Sequence, residues 1–160
     1  MANFTHLDKK GRARMVDVTA KTETRREATA RGKVLMRPET VRAIEEGAVK
    51  KGDVYAVAKI AGIMAAKKTG ELIPLCHPLQ LTDVDVNFSA DPGRGEIIIE
   101  STVRSIGRTG VEMEALTAVS AAALAVYDMC KSADRDMIIS DIKLMKKTGG
   151  KSGVYRRKEA

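Results

Sequence analysis

His77 stands in an apolar run, Leu72-Ile73-Pro74-Leu75-Cys76-His77-Pro78-Leu79, and the chain has only one other histidine, His6, in a polar N-terminal stretch. Imidazole is the side chain best suited to moving protons near neutral pH. Pro74 and Pro78 bracket it and push the backbone between them toward an extended or turn conformation. A histidine held this stiffly is either a satisfied turn residue beside the core or a site residue, and the residue types leave both readings open. A second set lies near the end of an apolar stretch: Asp128, with Lys131 three positions later and within ion-pair reach on a helix. A carboxylate is disfavoured at a helix C-terminus, and a buried one must be paired, hydrogen-bonded or neutralised. Local helix stability therefore does not account for Asp128. Glu112 and Glu114 form a third set at the start of the same stretch.

The spacing of these carboxylates constrains any site they share. Glu114 and Asp128 are 14 positions apart, close to four turns, so they lie on one face but about 21 Å apart along the axis. Two carboxylates of one chain cannot then flank one small reacting centre. Either the ligand is elongated, or each site combines the ends of two subunits. The stretch from Ala115 to Cys130 carries more alanine than one sheet contact needs, which favours the second option and a homo-oligomer.

Cations gather where elements should end: Lys50 and Lys51, Lys67 and Lys68, Lys131, Lys146, Lys147 and Lys151. Gly107-Arg108-Thr109-Gly110 precedes the long helix, whose free N–H groups would favour an anion. Together these outline a pocket for a phosphorylated metabolite. Neither a GxxxxGK[ST] phosphate loop nor a GxGxxG fingerprint occurs. The histidine and carboxylate spacings give no convincing metal site.

The elements that must position these groups follow from periodicity and punctuation. Residues 28–36 alternate loosely as a strand, and Pro38 opens a helix that stops at Gly47. Asp53 caps a helix through Ala65, and Lys67-Lys68-Thr69-Gly70 supplies cations and a glycine at its C-terminus. Residues 81–88 and 96–103 are strands joined by the turn Asp91-Pro92-Gly93-Arg94-Gly95. A long helix is expected over 111–131, a last strand over 137–145 and a basic, glycine-containing tail from Lys146. The order strand, two helices, two strands, helix, strand specifies an α+β sandwich. Its mainly antiparallel sheet carries helices on one face, in a ferredoxin-like arrangement with an extra helix. Residues 1–24 form a partly flexible N-terminal segment with a small apolar cluster, Met15-Val16-Asp17-Val18, that docks or orders on a partner. Residues 25–157 are expected to form a single α+β domain that carries the candidate site.

Bulk composition narrows the classes. The chain is 44% apolar and 31% charged, with a net charge of +7, two Phe, three Tyr and no Trp. The charge attracts anions without identifying them, while stacking platforms for single-stranded nucleic acid are nearly absent. Cys76 and Cys130 are too few for a disulfide framework. Without a signal-peptide pattern or an apolar run of membrane-spanning length, a cytoplasmic protein with neither membrane nor nucleic-acid partner is expected.

Ordered motifs over roughly residues 12–157 carry a resemblance. They are Met15-Val16-Asp17-Val18, Lys51-Gly52-Asp53-Val54, Ile60-Ala61-Gly62-Ile63, Leu72 to Leu79, Thr109-Gly110-Val111-Glu112-Met113-Glu114-Ala115, Tyr127-Asp128-Met129-Cys130-Lys131 and Lys147-Thr148-Gly149-Gly150-Lys151-Ser152-Gly153. In these the chain resembles the MoaC family of cyclic pyranopterin monophosphate synthases, of molybdenum cofactor biosynthesis. The resemblance implies a lyase that converts 3′,8-cyclo-7,8-dihydroguanosine 5′-triphosphate to cyclic pyranopterin monophosphate and pyrophosphate. It also implies a hexamer, a trimer of dimers, with sites at subunit interfaces. Asp128, Lys131, Lys51 and His77 would be catalytic: Asp128 and Lys131 in acid/base steps, His77 positioning substrate or relaying protons, and Lys51 activating ring opening or stabilising its charge. Leu75, Cys76, His77, Glu112, Met113 and Glu114 would bind substrate, with Glu114 suited to the guanidine-like edge of the base. Arg26 and Lys147 would take the triphosphate. No cofactor is implied beyond Mg²⁺ accompanying the triphosphate. Gly70 departs from the family pattern, where alanine or a bulkier residue is frequent, and is expected to loosen the end of its helix.

Two other readings compete. A regulatory module would bind the phosphorylated ligand without releasing pyrophosphate. A basic nucleic-acid-binding domain would show steep salt dependence.

Overall fold

The computed structural model describes residues 7, 8 and 10–158. The expectation of partial flexibility for residues 1–24 falls in part on residues 1–6 and 9, which lie outside the described residues. The chain runs β1 (Thr24–Leu35), α1 (Pro38–Glu45), α2 (Val54–Lys67), the single turn α3 (Thr69–Leu72), β2 (Leu81–Asp91), β3 (Glu96–Gly107), α4 (Glu112–Cys130), β4 (Ile138–Thr148) and β5 (Tyr155–Arg156). The strands form one antiparallel sheet in the order β2-β3-β1-β4-β5. With α2 and α4 side by side on one face, this is a ferredoxin-like α+β fold extended by α1, α3 and the short β5.

β1 is the centre of the sheet. Its even-numbered residues Ala28, Ala30 and Val34 are fully buried, and they meet Ile97, Ile99 and Val103 of β3 on the same face. With no Trp and two Phe in the chain, small and branched aliphatic residues fill this layer. Small residues also set how near the helices come. A Cβ on Gly62 of α2 would lie 2.9 Å from the Ala118 carbonyl of α4, and one on Gly32 of β1 would lie 2.8 Å from Val119 Cγ1. Close approach of this kind needs glycine.

The opposite face of the sheet is a ladder of paired polar groups. Glu27 accepts from Arg104 at 2.8 Å and from Lys146 at 2.9 Å, Arg104 also reaches Asp83, and Arg31 pairs with Glu100 at 2.9 Å. This ladder explains why β1 begins at Thr24, four residues before the alternation marks a strand. Arg25, Arg26 and Glu27 mask the pattern, yet Arg26 donates to the Gly107 carbonyl of β3 and Glu27 pairs with Arg104 and Lys146. β4 likewise extends to Thr148, which puts Lys146 and Lys147 on a strand and not in a tail. An irregularity in the β1–β4 pairing coincides with Asp141, a non-glycine residue at φ 54°, whose carboxylate meets Lys33 at 3.0 Å.

The Asp53 cap forms as expected, accepting from Ala56 N at 3.0 Å. Two expectations need correction. Gly70 is not a left-handed helix stop; it lies within α3, where a Cβ would sit 3.0 Å from Pro78 Cα. Its role is to let the segment around His77 pack directly on α3. An apolar run of membrane-spanning length also exists, because α4 passes by length and composition. It is nevertheless the core helix of this fold: Ala115, Ala118, Val119, Ala122, Ala123 and Val126 are fully buried against the sheet and α2.

Candidate functional site

Two cavities lie at opposite ends of α4, and each gathers residues singled out in the sequence. The first, about 280 Å³, is lined by Leu75, Cys76, His77, Leu79, Thr109, Gly110, Glu112, Met113 and Glu114. Its walls are the Pro74–Pro78 segment and the first turn of α4. Glu114 is 4% exposed, and no other residue supplies its side chain with a hydrogen bond or ion pair among the described residues. Burial, with a smaller contribution from Glu112, pushes its carboxyl up to about 7. The Cys76 thiol is raised as well, mainly by burial and then by Glu114. Glu112 meets Lys147 Nζ at 3.0 Å, and that ammonium also donates to Ser152 Oγ at 2.8 Å. Lys147 is thus drawn to this cavity from β4.

Arg26 does not line either cavity. It is 8% exposed and donates from Nε to the Gly107 carbonyl at 3.2 Å, where the Gly107–Gly110 loop begins. Gly149 and Gly150, at φ 97° and 73°, close over it; a Cβ on Gly150 would be 1.8 Å from Arg26 Nη1. At the start of α4 the Glu112 carboxylate folds back into the space a Cβ on Gly110 would fill.

The second cavity, about 330 Å³, is lined by Lys51, Tyr127, Lys131, Ser132 and Arg135. Beside it Asp128 takes two ammonium groups, Lys131 at 2.6 Å and Lys51 at 3.3 Å. Asp128 is exposed, not buried as its neighbours suggest, because it turns away from the packed side of α4. The Lys131 and Lys51 hydrogen bonds hold its carboxyl below the usual carboxylate range, and Asp128 in turn raises the Lys131 ammonium. In the free protein Asp128 and Lys131 therefore each favour the other's ionised form.

The structure thus brings Leu75, Cys76, His77, Glu112, Met113 and Glu114 together with Lys147 alongside, and joins Lys51, Asp128 and Lys131 separately. His77 does not meet Asp128 within one chain. Tyr127, Ser132 and Arg135 escape a sequence reading: Ser132 and Arg135 lie in an irregular loop without periodicity, and Tyr127 reads as core. The His77 ring also has a partner not anticipated, the Val16 carbonyl at 2.8 Å from Nε2. Among the described residues no group of three or more His, Cys, Asp or Glu is arranged to hold a metal ion.

Comparison with known proteins matches this arrangement to a family. A family model described as the MoaC family covers residues 15–150. A cyclic pyranopterin monophosphate synthase of Pelotomaculum thermopropionicum is 63% identical over 158 residues, which is 99% of this chain and 93% of the relative. The protein of the same name from Heliobacterium modesticaldum is 61% identical over 99% of this chain and its own full length. One from Desulfitobacterium hafniense is also 61% identical, over 98% of this chain. With a family model spanning both cavities and relatives this similar from end to end, the chain belongs to the MoaC family.

Proposed function

We propose that this chain is a cyclic pyranopterin monophosphate synthase. It takes 3′,8-cyclo-7,8-dihydroguanosine 5′-triphosphate to cyclic pyranopterin monophosphate and releases pyrophosphate, in molybdenum cofactor biosynthesis. The observation that carries the reading is the Lys51–Asp128–Lys131 triad beside a cation-lined cavity. A carboxylate between two ammonium groups is a poor base until something else claims the cations. Substrate phosphate is that competitor: as it draws Lys51 and Lys131 away, the Asp128 carboxyl rises toward its ordinary range and becomes able to take a proton. Lys131, passed from one anion to another, stays an ammonium and can give its proton to an oxygen on which charge develops as a bond to phosphorus breaks.

The first cavity suits the other end of the substrate. Glu114, poised near neutrality, can accept from the guanidine-like edge of the base, with Leu75, Cys76 and Met113 against the ring system. Lys147 stands beside this cavity on Glu112 and Ser152, while the buried Arg26 supports the start of the Gly107–Gly110 loop and does not reach a phosphate from there. Mg²⁺ arriving with the triphosphate would be carried by the substrate's own phosphates and would neutralise the leaving pyrophosphate.

One chain holds these two sets at opposite ends of a 19-residue helix. We therefore infer that a complete site joins the first cavity of one protomer to the triad of another, in a homo-oligomer of hexameric, trimer-of-dimers form. The assembly works in the cytoplasm. Incubation with the cyclised dihydro-GTP substrate tests the function. Equal amounts of pyrophosphate and pterin product are expected, whereas binding without turnover would favour the regulatory-module reading.

A further inference from the structure

The Met15-Val16-Asp17-Val18 cluster has no part in the chemistry so far, yet it touches the site. The segment crosses the surface ahead of β1, with Asp17 Oδ1 accepting from Thr19 N at 2.9 Å and Val18 O accepting from Lys21 N at 3.0 Å. Just ahead of these turns the Val16 carbonyl lies 2.8 Å from His77 Nε2. A carbonyl oxygen can only accept, so Nε2 must carry the proton. In the neutral ring that leaves the lone pair on Nδ1, which has no partner among the described residues, while His77 lines the first cavity. The backbone behind the ring is fixed independently: Pro78 packs on Gly70, and Cys76 N donates to Ile73 O at 3.0 Å.

We propose that Val16 is a positioning residue for His77: its main-chain carbonyl fixes the Nε2–H tautomer, so Nδ1 is the nitrogen offered to substrate. The inference rests on the synthase reading and adds which ring atom works and what sets it. When a substrate O–H or N–H gives its proton to Nδ1, the new Nδ1–H bond forms as that bond breaks. The electron pair stays on the substrate, and the resulting imidazolium keeps its Nε2–H bond to Val16. The N-terminal segment thereby becomes part of the site's framework.

Because the chain has two histidines, a His6→Gln protein reports His77 alone by ¹⁵N NMR. The expected spectrum of the neutral ring has a protonated-type Nε2 and an unprotonated-type Nδ1. The reverse pattern, or averaging of the two nitrogens, overturns the proposal. A second measurement separates positioning from simple anchoring. Gln at 77 can still donate to Val16 but offers no Nδ1. His77→Gln should keep wild-type resistance to trypsin at Arg14 and Lys21, while His77→Ala should be cut about fivefold faster. Turnover should fall about a hundredfold or more in both. Rescue of turnover as well as trypsin resistance by glutamine would make His77 an anchor only and overturn the proposal. Unchanged trypsin resistance in His77→Ala would do the same. Neither the spectrum nor the proteolysis needs turnover, so failure of the synthase reading, seen as an inactive wild type, is distinguishable.

Discussion

Lys51 Nζ donates to the Asp128 main-chain carbonyl at 2.7 Å and lies 3.3 Å from the same residue's carboxylate. One ammonium thus satisfies a carbonyl of the last turn of α4, which has no helical partner, and neutralises the side chain next to it. The loop before α2 is thereby tied to the C-terminal end of α4. Through this link the charge state of Asp128 depends on what else competes for Lys51.

If the triad does the proton chemistry, Asp128→Asn and Lys131→Ala should each lower turnover by about 10²–10⁴-fold. Both groups are exposed, and exposed pairs add little to stability. Assembly and thermal midpoint should therefore stay near wild type. Steady-state kinetics beside melting curves check this, and unchanged turnover in Asp128→Asn would remove the triad from the mechanism.

Glu114 predicts a pH dependence of stability whose sign is set by burial. Its carboxyl titrates near 4.5 when unperturbed and near 7 in the fold. Between those values the folded state holds a proton that the unfolded state has lost. Its stabilising contribution is fully present below about pH 4.5 and is lost as pH rises through about 7. The loss amounts to about 3 kcal/mol per protomer at most. Denaturant unfolding of wild type and Glu114→Gln at pH 5 and pH 8, at one protomer concentration, should show the variant gaining relative stability at pH 8. Parallel behaviour would mean that Glu114 is solvated or paired in solution.

The α2–α4 contact predicts that a better helix former will be worse. Alanine exceeds glycine in helix propensity by about 1 kcal/mol, but a Cβ at Gly62 would meet the Ala118 carbonyl at 2.9 Å and Val86 Cγ2 at 3.2 Å. Gly62→Ala should cost about 1–3 kcal/mol through overpacking, read as a lowered denaturation midpoint. A gain in stability would show that the helices can separate freely.

Much of this was legible in the sequence because periodic burial and terminal signals act locally. Asp53, Pro38 and the turn at residues 91–95 mark boundaries the structure keeps. What stayed hidden depends on partners far along the chain. Glu27 looks like a loop residue until Arg104 and Lys146 are beside it. Asp134, 2% exposed, accepts from Arg37 N at 2.8 Å, and nothing near either residue signals that bond. The candidate residues came from residue type, spacing and the family resemblance together, and the 14-residue separation of Glu114 and Asp128 posed the choice between an elongated ligand and a site shared by two subunits. The tie between Val16 and His77 crosses 61 positions, which no local pattern reports.

Mixed assemblies test most directly whether one site is made from two copies of this chain. His77→Ala and Asp128→Asn proteins, each inactive alone, would be co-expressed with different tags and the doubly tagged oligomer isolated. If a site joins the first cavity of one protomer to the triad of another, random pairing leaves about a quarter of sites with both halves intact. Pyrophosphate release should then return to about a quarter of the wild-type rate. Mixed oligomers as inactive as their parents, beside an active wild type, would contradict the two-protomer site.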